Sequence, residues 1–269
     1  MESPFLAAQL PPISTLPIST LAVPLAAFGL VFGSFITALS YRLPRGESIT
    51  AGRSHCPACG HVLSAADLVP VVSWAVHGGA CRHCRAKISW RYPAIELTSA
   101  ALFVGAGVLA RDIVHLALLL AMTPVMLALG VIDLEHRRLP NSLVLLLAAL
   151  AVAWRALSDG RYLEAAVLAT LSTTLGLVLD ALYRARTGRA GLGGGDVELL
   201  AIVGLALPLE VFLMTLGVAG LLGVLVGGAT RLRRGEAEFA FAPEILAAFW
   251  IGLAAGGDIV NRLAAIRSG

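Results

Sequence analysis

The sequence predicts an all-α polytopic membrane protein with about eight transmembrane helices and a small cytoplasmic zinc-binding domain between helices 1 and 2. Three observations predict it. Of 269 residues, 58% are hydrophobic and 14% charged, against about 25% charged in an ordinary soluble domain, too few to coat a soluble globule of this size. The mean hydropathy is +0.84, and the apolar residues come in runs of roughly 16 to 22 that lack a polar stripe, long enough to span a bilayer. The polar residues, by contrast, concentrate in one insertion from Arg42 to Tyr92. A secreted disulfide scaffold, a disordered regulator and a typical cytosolic enzyme are thereby excluded.

Taken in order, residues 1–19 hold no Lys or Arg and several Pro, Ser and Thr, unlike the basic start of a cleaved signal peptide. They read as an N-terminal periplasmic segment before a retained first transmembrane helix, residues 20–41. After the insertion, 42–92, seven further spans are expected within 93–269, at about 93–110, 113–133, 139–157, 162–183, 196–208, 210–230 and 243–261. No internal repeat or inverted duplication is visible.

Orientation follows from the 20 basic residues, because Lys and Arg are retained on the cytoplasmic side during insertion. Arg42, Arg45, Arg53, Arg82, Arg85, Lys87 and Arg91 lie in the insertion. Arg137 and Arg138, then Arg184, Arg186 and Arg189, then Arg231, Arg233 and Arg234 follow spans three, five and seven. These 15 share one face, and Arg111, Arg155, Arg161, Arg262 and Arg267 are left for the other. The insertion is therefore expected in the cytoplasm and both termini outside. With a net charge of only +3, the expected partner is the lipid bilayer and not nucleic acid.

All four cysteines lie in the insertion, as Cys56-Pro-Ala-Cys59 and Cys81-Arg-His-Cys84, with 21 residues between the pairs. Each C-x-x-C turn can aim two sulfurs at one ion while the intervening chain folds back, which suits a tetrahedral four-thiolate zinc site. Disulfides, a thiol redox relay and an iron-sulfur cluster are the alternatives. A reducing cytoplasm disfavours the first, and a relay normally uses one C-x-x-C at a helix start. His55, His61, His77 and His83 share the segment and read as solvated or supporting groups. A four-cysteine shell leaves no open position for water, so the zinc is expected to be structural, holding together about 50 residues too few for a strong core.

Carboxylates in or beside membrane spans are costly. Asp133 ends the third span in Gly130-Val-Ile-Asp-Leu-Glu-His-Arg-Arg-Leu-Pro140, and Asp196 opens the sixth after Gly191-Leu-Gly-Gly-Gly195. Taken singly, Asp133 could pair with Arg137 at i,i+4, and Asp196 could cap its helix. Taken together, two carboxylates at one depth, one flanked by glycines that let backbone approach a substrate, form a candidate acid-base dyad. Two unit charges about 4 Å apart at an effective dielectric near 20 repel by about 4 kcal/mol, so a close pair would share one proton. The ionised member would take a proton from water while the protonated one donates to the scissile carbonyl or leaving amine. Glu96, Asp180, Glu244 and Asp258 are weaker candidates. The Gly191–Gly195 run is not followed by Lys-Ser or Lys-Thr, which argues against a nucleotide P-loop, and neither G-x-S-x-G nor H-E-x-x-H occurs.

These residues resemble the prepilin peptidase family, also called type IV leader peptidases, over nearly the whole chain. The resemblance runs through Gly33-Ser-Phe-Ile-Thr-Ala-Leu-Ser-Tyr-Arg-Leu-Pro-Arg-Gly-Glu-Ser48, Ser54-His-Cys-Pro-Ala-Cys-Gly60, Asp67, Pro70, Ser73, Trp74 and Cys81-Arg-His-Cys84. It continues through Ile88-Ser-Trp-Arg-Tyr-Pro93 with Glu96, Asp133 seven residues before Pro140, and Gly193-Gly-Gly-Asp196, which fits the family's G-x-G-D. It implies a bacterial inner-membrane, multi-pass aspartic endopeptidase, with residues 93–269 as its peptidase domain and Asp133 and Asp196 catalytic. Gly193 and Gly195 would support the loop or the substrate. The implied substrates are type IV prepilins or type II secretion pseudopilins, cut after a short basic leader.

The resemblance further implies that members carrying the cysteine-rich domain methylate the new N-terminal amine from S-adenosylmethionine. No G-x-G-x-x-G fingerprint marks a site for that donor. Three positions depart from the family pattern: Thr37 for a common Asn, Glu198 for a common Lys, and Ala242-Pro243-Glu244 for a common Gly-Pro-Phe. A peptidase without methyl transfer, a transporter with a zinc-ribbon loop and a membrane thiol oxidoreductase are the competing readings. A transporter should carry polar residues at mid-span on broken helices, and an oxidoreductase should have its cysteines on the oxidising face.

Overall fold

Backbone polar groups find no water inside a bilayer, so a chain this apolar must satisfy them within helices. The computed structural model describes residues 18–49, 52–188, 191–234 and 240–268. Most of the expected segment 1–19, and Arg189 of the basic count, lie outside these. Among the described residues the helices are α1 (Ile18–Arg42), α2 (Val72–Val76), α3 (Arg91–Leu109), α4 (Ile113–His136), α5 (Asn141–Ser158), α6 (Tyr162–Thr187), α7 (Gly194–Ala206), α8 (Leu209–Arg234) and α9 (Ala242–Ser268). All but α2 correspond to expected spans.

Seven of them are long and apolar enough to cross a membrane. The eighth, α7, has 13 residues and so reaches roughly 20 Å, short of the ~30 Å hydrocarbon core. Its glycine-rich entry and the extended Leu207 before Pro208 set those limits. The outer helix faces are apolar: Leu163, Leu171, Leu175 and Leu179 of α6 are each more than half exposed, as suits helices bathed in lipid.

The chain divides into two compact units, one up to Ala128 and one from Leu129. The boundary falls inside α4, whereas the change in composition falls near residue 92. In the first unit α1 and α3 pack at backbone distance. A Cβ on Gly29 would lie 2.5 Å from Ala100 Cα, and one on Gly33 2.5 Å from Glu96 Cα. This Gly29-x-x-x-Gly33 contact is the small-residue packing that lets membrane helices approach closely, and it ties α3 to α1. The insertion has little regular structure beyond α2, a 3-10 turn at Ala65–Leu68 and two isolated antiparallel bridges, His55 with Val62 and Ala80 with Lys87.

In the second unit α6 and α7 meet at Gly204, where a Cβ would sit 2.8 Å from Ala169 N. Ser172 Oγ donates across that contact to Leu200 O at 3.1 Å. Helices α8 and α9 meet where Gly252 faces Thr215 and Gly256 faces Val211. At the end of the unit where α5 turns into α6, the buried Arg155 binds Asp159 at 3.3 Å and Glu164 at 2.9 Å. Glu164 Oε1 also accepts from Leu209 N at 2.9 Å, so one ion-paired cluster fastens the α5–α6 turn to the start of α8. Burial alone would raise the Asp159 carboxyl, but hydrogen bonds from Arg161 and the charges of Arg155 and Arg161 hold it below its usual range.

Candidate active site

The end of the second unit opposite the Arg155 cluster gathers acids from three helices. Asp133 stands in the last turn of α4, buried, and accepts a hydrogen bond from the backbone N–H of Ala242 at the start of α9. Gly130, one turn earlier on α4, faces the start of α9: a Cβ there would lie in ordinary contact, 3.9 Å from Pro243 Cα. Arg137, where the chain leaves α4 with φ 52°, lies within electrostatic reach of Asp133.

Asp196 is the third residue of α7 and not its cap, a place taken by Gly193. Its Oδ2 accepts the Gly193 N–H at 3.1 Å, fixing the carboxylate over the helix N-terminus. Asp133 and Glu244 both lie within electrostatic reach of Asp196, and Asp133 within reach of Glu244. The two aspartates that the sequence pairs by depth are thus gathered in one place. The glycines have distinct uses there. A Cβ on Gly193 would crowd Asp196 Oδ2 at 3.1 Å, and one on Gly195 would run into Leu139 Cδ1 at 2.7 Å.

Two acids carry more than their sequence patterns suggest. Glu244, in the first turn of α9, is buried, and its Oε2 has no hydrogen-bond partner. The signal for it is its place in Ala242-Pro243-Glu244, where the resembling family commonly has an apolar residue. Asp180 makes the expected i,i+4 pair with Arg184 at 2.6 Å. Its other oxygen accepts the backbone N–H groups of Gly191 at 2.8 Å and Leu192 at 3.1 Å, which no sequence spacing foretells. The remaining candidate, Asp258, lies in the middle of α9, well away in sequence from the first turn that carries Glu244.

In the first unit the four cysteine Sγ atoms lie within 4.8 Å of one another and could hold a metal ion. None is in a disulfide. The two knuckles repeat one backbone plan. Cys56 N donates to His61 O at 2.9 Å and Gly60 N to Cys56 O at 2.8 Å; Cys81 N donates to Ala86 O at 2.8 Å and Arg85 N to Cys81 O at 3.0 Å. The left-handed position is Gly60 (φ 70°) in one and Arg85 (φ 60°) in the other. Backbone N–H groups of Cys84 and then His83 stabilise a thiolate at Cys81 and bring its pKa down to about 7. At Cys84 the Ala86 N–H works in the same direction, but burial and the neighbouring sulfurs push the thiol up to about 11. The rings of His61 and His83 meet beside the knuckles with centroids 3.4 Å apart, tilted by 35° to each other.

The insertion and the adjoining ends of α1 and α3 line an open cavity of about 640 Å3. Tyr41, Asp67, Trp74 and Glu96 are on its wall, as are both knuckles. Hydrogen bonds from the Ser64 hydroxyl and backbone hold the Asp67 carboxyl below its usual range, and Arg82 pairs with it at 3.4 Å.

Two family models match the chain: the bacterial peptidase A24 N-terminal domain over residues 27–109 and the type IV leader peptidase family over residues 120–228. The chain is similar to prepilin leader peptidase/N-methyltransferases of several bacteria. It is 31% identical to that of Bacillus subtilis, covering 87% of this chain and 94% of the relative. Identity to the Neisseria gonorrhoeae protein is also 31%, over 90% and 93%, and to a Burkholderia pseudomallei protein 34%, over 81% and 80%. No solved structure matches.

Proposed function

Because the chain belongs to the type IV leader peptidase family, we propose that Asp133 and Asp196 cut the leader from prepilins, and that the chain then methylates the new N-terminus. The observation that carries the peptidase reading is the meeting of the two carboxylates at one end of the second unit. Like charges so placed favour a pair holding a single proton between them. The ionised member takes a proton from the attacking water as the water adds to the scissile carbonyl. The protonated member donates to the carbonyl oxygen, and the proton gained from water passes to the leaving amine as the bond breaks. No covalent intermediate forms. The N–H groups of Ala242 and Gly193 keep the carboxylates from rotating away.

The multi-pass chain lies in the bacterial inner membrane, and the 15 basic residues on one face support placing the insertion and the aspartates at the cytoplasmic surface. Prepilins, whose leaders would lie there, are the proposed substrates, and type II secretion pseudopilins a chemically equivalent class. The division proposed at sequence level, insertion 42–92 followed by a peptidase domain 93–269, keeps both aspartates together.

The four cysteines fit zinc. Zn–S bonds of 2.3 Å at tetrahedral angles place sulfurs about 3.8 Å apart, and Cys56 Sγ is 3.9 Å from Cys84 Sγ. Such an ion supplies a cross-link between the knuckles. The methyl group is supplied by S-adenosylmethionine, as the N-methyltransferase relatives imply.

Mass spectrometry of a prepilin incubated with the reconstituted protein tests both halves. The cut position reports cleavage, and a 14 Da gain, the mass of one added CH2, with S-adenosylmethionine reports methylation. Asp133→Asn and Asp196→Asn should each abolish the cut in a protein that still inserts; normal processing by either variant would overturn the dyad.

A further inference from the structure

Relatives of this chain carry two activities in their names, the chain has two compact units, and the paired aspartates both belong to the second. We propose that the 640 Å3 cavity of the first unit is the binding site for the methyl donor, with Glu96 as the carboxylate that faces its positive charge. The assignment rests on the methyl-transfer reading above.

The volume lies within the range of about 300–1,000 Å3 typical of cofactor sites. The chemistry of the wall suits an adenosyl sulfonium. The aromatic rings of Tyr41 and Trp74 offer surfaces to a purine, and Glu96 offers a carboxylate to a cation. The wall's arginines are occupied elsewhere: Arg42 donates to the carbonyls of Ser48, Ile49 and Gly52, Arg53 to Leu63 O, and Arg82 pairs with Asp67. Asp67 is taken up by Ser64 and Arg82, which leaves Glu96 as the buried carboxylate of the wall with no cation paired to it among the ion pairs of the described residues. It accepts from the Ser34 hydroxyl and, at 2.7 Å, from the backbone N–H of Val71.

Val71 itself has φ 60° and ψ −48°, a conformation that is an outlier for a β-branched residue. Backbone held so unfavourably is concentrated at sites that need a group aimed, and here the aimed group is the N–H that fixes Glu96. Cys56, Pro57, Cys81 and His83 also line the cavity, so the cysteine knuckles shape it.

In the transfer, the neutral N-terminal amine of the processed substrate attacks the methyl carbon. The carbon–sulfur bond breaks with its electron pair remaining on sulfur, leaving the neutral thioether S-adenosylhomocysteine. The secondary ammonium formed then releases a proton to solvent. A site that holds the donor through its positive charge also lets go of the uncharged product.

The test is calorimetry and ultraviolet crosslinking of the full-length protein in lipid nanodiscs with S-adenosylmethionine and S-adenosylhomocysteine. Glu96→Gln keeps an acceptor for Val71 but removes the charge, so it should weaken the sulfonium ligand roughly tenfold or more and the neutral thioether far less. Tyr41→Ala, at a half-exposed ring, should weaken both, with zinc content unchanged in each variant. Crosslinked peptides should fall within residues 34–96. Donor affinity unmoved by both variants, or crosslinks confined to residues beyond 129, would overturn the cavity assignment. The 14 Da gain on the processed substrate would then still stand for methyl transfer, and its absence, with no donor bound by the wild-type protein, would overturn both.

Discussion

Asp180, near the end of α6, holds the backbone of Gly191 through a 2.8 Å hydrogen bond and so fastens the start of the glycine-rich stretch that delivers Asp196. The same oxygen accepts from Leu192, and the other is occupied by Arg184. Asp180 is thus a positioning residue for a carboxylate 16 positions later in the chain. Hydrogen bonds to a charged acceptor are stronger than those between neutral groups, and weaker where solvent reaches them. Asp180→Ala should therefore lower kcat/KM for prepilin cleavage roughly tenfold. Asp180→Asn, which retains one acceptor oxygen for the loop, should recover most of the loss, and equal defects in both variants would show that the charge and not the loop bonds matters.

Glu244 brings a third carboxylate to Asp133 and Asp196 and leaves a buried oxygen without a partner. Removing the charge at constant volume relieves like-charge repulsion and an uncompensated burial. Glu244→Gln should raise the midpoint of thermal unfolding in detergent, corresponding to about 1–3 kcal/mol. A lowered midpoint would mean that the carboxylate has an ionic partner in the folded protein.

Gly33 is the point where α1 touches the backbone of Glu96. Because a Cβ there would overlap α3 backbone and not a yielding side chain, Gly33→Ala should destabilise the protein by about 1–3 kcal/mol. Gly217, whose Cβ would meet nothing within 4 Å, is the control: Gly217→Ala should leave the thermal midpoint unchanged or raise it.

Metal release should couple to protons, since thiols must lose them to bind. Elemental analysis should find one zinc per chain, absent in Cys56→Ser with Cys81→Ser. Chelator should strip it faster as pH falls, because protons compete for the same sulfurs. Arg85→Gly, which places a residue without a Cβ at φ 60°, should slow that release, by the equivalent of roughly 1 kcal/mol.

Much of this protein is legible from local patterns. Membrane spans are, because hydrocarbon imposes helix on any long apolar run. The knuckles are, because two residues between cysteines suffice to aim both sulfurs, and the backbone repeats the same plan at Cys56 and Cys81. Asp133 and Asp196 stand out because acids at span ends are rare and one follows a glycine run. The roles of Asp180 and Glu244 could not be read this way: i,i+4 spacing accounts for the Arg184 pair but says nothing of an acceptor turned toward a loop eleven residues on, and burial of Glu244 depends on what packs around α9.

The sequence alone therefore determined the membrane class, the approximate limits of the apolar spans and the residue types available for chemistry, all of which depend on neighbours close along the chain. Tertiary structure decided which of 17 acids meet, that α3 packs with α1 through Gly29 and Gly33, and that a cavity opens beside the cysteine knuckles. Those outcomes rest on contacts between distant segments, set by how closely backbones can approach and where each buried polar atom finds a partner, and no pattern within a single segment encodes them.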